Sequence, residues 1–416
     1  MDVEKDKNGG FQDLEAPWNT PSRIETHRSG IFQFQAGINL ARLQPLLDRI
    51  QDAHKRFASV PVLPEVANKL EQEVMLSSIY GTNTIESGTL TEEETAAVLE
   101  SPEKAREEKE RRVVNIRRAY DIAEGFGKHW SENRESKEPP HLILREEMFK
   151  ELHKAITQGL SHPDNVPGQY RDNPKERRTQ VGDLEHGGVY TPPKCLTDIK
   201  ILMQAFIEWA NSAPIYYLPP LIRAPLVHYY FERIHPFWDG NGRVGRMVEA
   251  MILKAAGYKY APLALSRYYL ENIDRYFTLF NLARKAEEKG DPWPNQAFVE
   301  FFLQGMLTVL NNLHDHVNQI IAYLLYRSRV RDLHEGKMIN TRQYTIVTHL
   351  LSQGLRHKLA EIQAQPWYAA LYKGLTTKTR ARDIKGLVEH QLIVIGDDDG
   401  KTVFLLVPFE DSAGGA

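Results

Sequence analysis

Apolar positions recur at three- and four-residue steps along most of the chain, as expected for amphipathic helices with one buried face. Between Asn39 and Phe57, Leu40, Leu43, Leu46, Leu47 and Ile50 keep this rhythm and predict a helix that tolerates Pro45 near its start. The pattern returns from Leu63 to Gly81, where Pro64 suits a first turn and Gly81 a helix end. The charged run SPEKAREEKERR leads into Val113, Ile116, Ala119 and Ile122, so residues 101–125 predict a helix with a solvated face. Helical rhythm resumes over 144–157, 196–212, 219–233, 242–257, 266–285 and 295–326, punctuated by Pro and Gly. SENRESKEPPH (131–141) predicts a loop, and RRTQVGDLEHGGVYTPP (177–193) a β-hairpin outside the helical body. Residues 1–30 are polar and aperiodic, which predicts a flexible arm with order beginning near Ile31.

After about residue 328 the character changes. Short helices near 341–353 and 357–373 precede a third that aligns Ala381, Ile384, Leu387 and Val388. LIVI and TVFLLV then flank a DDDG turn. Helix, helix, helix, hairpin is the order of a winged-helix module.

Composition narrows the classes. With 416 residues and 42% hydrophobic content the chain supports two or three packed domains. Its 52 basic and 55 acidic side chains are interspersed, so the net charge of −3 supplies no global attraction for nucleic acid or membrane. Cys195 is the only cysteine, which excludes an intrachain disulfide and a cysteine-based zinc site and fits a reducing compartment. No stretch approaches a membrane span and no leader is apparent, so the expectation is a cytoplasmic protein without a membrane partner.

The densest chemistry lies in HPFWDGNGRVGR, residues 235–246. A Gly-Asn-Gly turn opening a helix leaves backbone N–H groups converging on one spot, and the helix dipole makes that spot attract an anion. Gly240 and Gly242 allow close approach, Asn241 can donate to a phosphate oxygen, and Arg243 and Arg246 reach over the same helix end. Asp239 is placed to bind Mg²⁺ bridging phosphates, and His235 to take a proton at neutral pH. The run lacks the Gly-Lys-Ser/Thr of a P-loop and follows a helix, unlike a Rossmann fingerprint.

This stretch resembles the Fic signature, His-x-Phe-x-Asp/Glu-Gly-Asn-Gly-Arg-x-x-Arg, with every defined position matched. The resemblance extends from GQYR (168–171) through VYTPP and PPLIRAPLVHYYFERI to SRYYLENIDRYFTLF, roughly residues 75–310. It implies a mainly α chain: a Fic-type helical bundle with a β-hairpin flap, plus a C-terminal winged-helix-like α+β module. The expected parts are an arm (1–30), an N-terminal helical region (31–130), the catalytic core (141–312) and a C-terminal domain (313–416). The implied activity is transfer of AMP from ATP to a Ser, Thr or Tyr hydroxyl of a target protein, or of the chain itself.

By the same resemblance His235 is the general base, Asp239 the Mg²⁺ ligand and Phe237 a core anchor. Gly240, Asn241, Gly242, Arg243, Val244, Gly245 and Arg246 form the nucleotide cradle. Gly187, Gly188, Val189 and Tyr190 of the flap meet the nucleotide while the flap registers the target, and Tyr276 neighbours the adenine. Upstream, Thr82 and Glu86 in IYGTNTIESGTLT are similar to the family's inhibitory Ser/Thr-x-x-x-Glu-Gly/Asn motif, Ser87 standing where Gly or Asn is usual. The implied restraint is a Glu86–Arg246 pair that keeps ATP from its productive pose.

Removal of AMP, or another nucleotidyl transfer on the same scaffold, stays open at this point, as does a homodimer. A DNA-binding regulator acting through the C-terminal module is the third reading. KTRARDIKG is basic, but Asp397, Asp398 and Asp399 at the wing would repel phosphate, which favours protein contact or internal packing.

Overall fold

A computed structural model describes residues 15–131, 142–174, 177–354, 356–398 and 401–406. The first part of the expected arm, nearly all of the loop at 131–141, and Asp399 and Gly400 of the DDDG turn lie outside these residues. The chain divides into two units, Met1–His314 and Asp315–Ala416.

The N-terminal stretch is not a free arm from residue 15 onward. Strands β1 (Ser22–Glu25) and β2 (Ile31–Phe34) pair antiparallel, with Ser22 opposite Phe34. Phe34 is fully buried, with its ring 5.6 Å from that of Trp209 and 5.2 Å from that of Tyr230. Asp198 accepts hydrogen bonds from His27 N (2.8 Å) and Ser29 Oγ (2.5 Å). A two-stranded hairpin is marginal alone, so these long-range contacts order a segment whose own pattern is weak.

Helices α1 (Leu40–Ser59), α2 (Pro64–Ile85), α3 (Glu92–Glu100), α4 (Glu108–Ser131) and α5 (Glu146–Thr157) follow. Asn39 caps α1, and Thr91 with Glu94 forms a capping box on α3, a helix too short for its periodicity to stand out. Gly81 does not end α2, which runs on to Ile85. A Cβ at Gly81 would lie 2.8 Å from the Ser266 backbone, so this glycine serves helix–helix approach instead of termination.

The expected flap hairpin is a loop closed by one antiparallel bridge, in which Val181 and Tyr190 exchange hydrogen bonds of 2.9 and 2.8 Å. Gly182, Gly187 and Gly188 all have positive φ and turn the chain too tightly for a longer ladder. Next come α6 (Leu196–Asn211), the short α7 (Ala213–Tyr216), α8 (Pro220–Ile234), α9 (Asn241–Ala255), α10 (Ala261–Glu271), α11 (Ile273–Glu288) and α12 (Gln296–Glu335). The helix expected over 266–285 is thus broken at Asn272. From Asn241 to Leu253, α9 is buried residue by residue, although Asn241, Arg243, Arg246 and Glu249 are polar. Buried charge on a central helix is costly and points to a site.

In the second unit, α13 (Thr341–Gln353) is followed by β3 (Arg356–Lys358), α14 (Leu359–Gln363), α15 (Pro366–Leu371) and α16 (Thr377–Glu389), and by strands β4 (Ile393–Asp398) and β5 (Lys401–Leu406). The sheet order is β3-β5-β4, all antiparallel, over a core that includes Ile346, Leu350, Leu387 and Phe404. The helix expected over 357–373 begins as a strand and breaks before Pro366. Among the described residues no helix is long and apolar enough to cross a membrane.

Candidate active site

The chain leaves α8 at His235, whose φ of 47° turns it sharply toward α9. Arg171, fully buried in the GQYR segment, fixes this turn: its Nε donates to His235 O (2.7 Å), its Nη2 to Pro193 O (2.8 Å) and its backbone N to Pro236 O (2.9 Å). Phe237 is fully buried, with the His153 ring lying parallel 3.7 Å away. Gly168 N donates to His153 Nδ1 (2.9 Å), so Nε2 carries the ring proton and donates to Asp239 O (3.1 Å). Burial pushes His153 down to about 4, which keeps this strut neutral. The motif loop is therefore held from beneath by Arg171 and His153, two residues that lie outside the motif and carry no signal of this role in the sequence.

Asn241 does not present a free amide to a phosphate. Its Nδ2 donates to Phe237 O and its Oδ1 accepts from Phe237 N, both at 2.9 Å, so the side chain braces the loop. Val244 is fully buried on the core side of α9, and Gly245 lets His228 and Glu232 approach, since a Cβ there would lie 2.8 Å from the His228 ring. These three positions, expected to contact nucleotide, have these contacts within the protein. Gly240, with φ 81°, turns the chain into α9, whose first N–H groups have no acceptor within the helix.

Two arginines on α9 differ in what they have left to offer. Arg243 Nη2 pairs with Asp239 Oδ1 at 2.7 Å, while its buried Nε and Nη1 have no hydrogen-bond partner. Unpartnered buried donors of a cation call for an anion. Every nitrogen of Arg246 is engaged: Nε donates to Thr82 Oγ1 (2.9 Å), Nη2 to Glu86 Oε1 (2.7 Å) and Thr82 O (3.3 Å), and Nη1 to Tyr276 OH (3.2 Å). The Glu86 carboxylate also lies against Gly242, where any Cβ would overlap Oε1. Arg112 Nη2 donates to Glu86 O (2.8 Å) at the end of α2. Burial works against charge on Glu86, but Arg246 and then Arg243 outweigh it and hold the carboxyl below its ordinary range.

Asp239 likewise stays ionised. Burial disfavours its charge, yet Arg243 and the N–H of Gly240 (2.7 Å) hold it below the usual range. Both of these contacts use Oδ1. His235 Nδ1 is buried without a hydrogen-bond partner and lies 3.5 Å from Glu232 Oε2, while Glu232 Oε1 is also unpartnered. The His235 ring thus faces the Glu232 carboxylate through Oε2, at a distance longer than a hydrogen bond.

A cavity of about 250 Å³ opens beside Gly242 and Arg246. Tyr190, Phe277, Phe280 and Tyr276 form its aromatic wall, and Glu232, Asn281, Arg233 and Arg284 give it polar corners. Of the four flap residues expected at the nucleotide only Tyr190 lines this cavity, joined by Val181, Gly182 and Asp183. Gly187 and Gly188 instead dock on α11 through their carbonyls, which accept from Lys285 Nζ and from Asn281 Nδ2 (2.8 Å), and Val189 points away, 44% exposed. Tyr276 is 2% exposed at the back wall.

Residues 143–253 match the model of the Fic/DOC family. A protein adenylyltransferase Fic of Drosophila grimshawi is 30% identical over 244 residues, 58% of this chain and 44% of that protein. Its namesake in Drosophila mojavensis is 29% identical over 282 residues, 67% of this chain and 49% of that protein. The chain thus spans less than half the length of these curated relatives. Among solved structures, a Fic family protein from Desulfovibrio desulfuricans is similar with a TM-score of 0.50 at 19% identity, over 88% of this chain and 96% of that one. A Fic domain containing signaling protein from Bacteroides thetaiotaomicron reaches 0.52 at 21%, over 65% and 97%. At these identities the likeness is one of fold.

Proposed function

We propose that this chain, which matches the Fic/DOC family model over residues 143–253, transfers AMP from ATP to a hydroxyl of a protein, itself included, and is restrained by Glu86. One observation carries this reading: at the N-terminus of α9 one buried guanidinium, Arg243, keeps unpartnered donors while Nε and Nη2 of its neighbour Arg246 are taken up by Thr82 and Glu86. Such a site is built for a polyphosphate and is occupied by a surrogate carboxylate. The name shared by the curated relatives, protein adenylyltransferase Fic, supports the same activity.

In this reading the aromatic cavity takes the base, and Gly240, Gly242 and Arg243 face the phosphates. His235 Nε2 removes the proton of the attacking Ser, Thr or Tyr hydroxyl, and Glu232 steadies the imidazolium through Nδ1. The hydroxyl oxygen bonds to the α-phosphorus, the bond from that phosphorus to the bridging oxygen breaks, and pyrophosphate leaves. Among the described residues no cluster of three or more His, Cys, Asp or Glu side chains could cage a metal. Asp239 alone fits Mg²⁺, which needs one or two carboxylates beside phosphates and water, and the ion when bound neutralises charge on the phosphates. We read the α13–α16 unit as a winged-helix-like accessory module and place the reaction in a reducing, cytoplasmic setting consistent with the single cysteine.

The test is incorporation of label from ATP marked at its α-phosphate, with mass spectrometry of the product. Glu86→Gly should raise self-modification about tenfold or more, a factor equivalent to ~1.4 kcal/mol, and His235→Ala should abolish it. An unchanged rate in Glu86→Gly sinks the restraint, and label retained by His235→Ala sinks the base.

A further inference from the structure

Arg246 is gripped from two sides, and only one grip belongs to the Glu86 segment. On the other side Nη1 meets Tyr276 OH, and behind Tyr276 runs a chain of polar groups buried in the core. Tyr276 OH lies 3.1 Å from His228 Nε2, His228 Nδ1 lies 2.8 Å from Glu249 Oε2, and Tyr269 OH donates to Glu249 Oε1 at 2.9 Å. His228 is 0% exposed, Glu249 and Tyr269 1% each, and Tyr276 2%.

Donor and acceptor capacity gives the chain a direction. Glu249, as a carboxylate, accepts from Tyr269 and from His228 Nδ1–H. His228 Nε2 is then the acceptor for the Tyr276 O–H, which leaves the lone pairs of that oxygen for the Arg246 Nη1–H. Every polar atom is satisfied, with a carboxylate at one end and a guanidinium at the other, so each bond polarises the next toward Arg246. Four polar side chains at this depth are costly in an aromatic core unless the arrangement they enforce matters.

We propose that Glu249, His228 and Tyr276 form a positioning relay that holds the Arg246 guanidinium in its phosphate-binding orientation whether or not Glu86 is bound to it. The proposal rests on the reading of Arg246 as a residue for the outer phosphates of ATP. Withdrawal of Glu86 then frees donors without freeing the side chain, and ATP meets a preorganised cation. Tyr276, expected beside the adenine, lines the aromatic cavity and shares its hydroxyl between Arg246 and His228.

The test uses the full chain carrying Glu86→Gly, with Tyr276→Phe, Glu249→Gln or Arg246→Ala added, and measures affinity for ATP and for AMP by calorimetry together with kcat and KM for ATP. Tyr276→Phe should weaken ATP about tenfold, the order of one charge-assisted hydrogen bond, with AMP affinity unchanged and KM rising more than kcat falls. Glu249→Gln, which keeps the shape and replaces one acceptor oxygen by a donor, should give a smaller loss of the same sign; it carries the test if the phenylalanine variant does not fold. Equal losses for ATP and AMP, or no loss for either, overturn the relay. If Arg246→Ala weakens ATP selectively and both relay variants do not, the relay falls while the phosphate role of Arg246 stands. If Arg246→Ala leaves the ATP-to-AMP preference unchanged, the underlying reading falls with it.

Discussion

Ser87 shows how one backbone angle bears on the proposed restraint by Glu86. It sits at φ 62° just past α2, with Ser87 N donating to Thr84 O (3.0 Å) and Gly88 N to Asn83 O (2.8 Å). This is the paired Schellman pattern, and Ser87 holds the left-handed position that glycine or asparagine fills at least cost. The Gly or Asn of the related inhibitory motif is what this geometry asks for, so the departure at Ser87 leaves strain next to Glu86. Ser87→Gly should stabilise the end of α2 by about 0.5–1 kcal/mol, after allowing for the greater freedom of glycine in the unfolded chain. A better-anchored Glu86 should then lower basal self-modification about two- to fivefold. Parallel melting curves and labelling assays check both; a stabilised variant with unchanged or higher activity would separate the cap from the restraint.

The flap is an element whose attachment titrates. His186 bridges Asp183 (2.9 Å) within the loop and Asp274 (3.2 Å) on α11, and these hydrogen bonds, first that to Asp183, raise its pKa above the ordinary histidine value. A raised folded value means the docking contribution is complete below the unfolded pKa of about 6.5 and is lost as pH climbs through the raised value. Hydrogen exchange at the Val181 and Tyr190 amides should therefore show less protection, beyond the intrinsic rate change, on the alkaline side of that window. His186→Phe should abolish this pH dependence, and persistence of the trend in that variant would assign it to another group.

Elements of this kind mark the limit of what was legible. Long helices announce themselves through a repeated apolar face, whereas the flap folds through three glycines and contacts to α11 that leave no period. The motif residues could be read because they are contiguous. His228 and Glu249 come from different helices, and their only trace is a polar residue inside an otherwise apolar run, LVHYYF and MVEAM, a signal that shows a buried partner is needed without naming it.

Across the whole molecule the second unit shows the same concealment within KTRARDIKG, which reads as a basic stripe. Lys378, Arg382 and Lys385 are indeed exposed on α16, but Asp383 turns inward and is 2% exposed. Its carboxylate accepts from Asn340 Nδ2 (2.9 Å), Arg342 Nε (2.7 Å) and Nη2 (3.1 Å), and Tyr372 OH (3.2 Å). Burial opposes its charge, and the Arg342 and Asn340 donors overcome it, so the group is held below the usual carboxylate range. One carboxylate thereby ties the start of α13 to α16 and to the residue that ends α15. Asp383→Ala leaves those donors without an acceptor, and the cost should be about 2–4 kcal/mol, below the fully buried case because Arg342 keeps some access to water. The loss should appear as reduced exchange protection along α13 and α16 and a lower denaturant midpoint for the unit. Removing the exposed Lys378 or Arg382 instead should change stability by no more than about 0.5 kcal/mol. If the order were reversed, α16 would be held by its surface charges and Asp383 would be incidental to the fold.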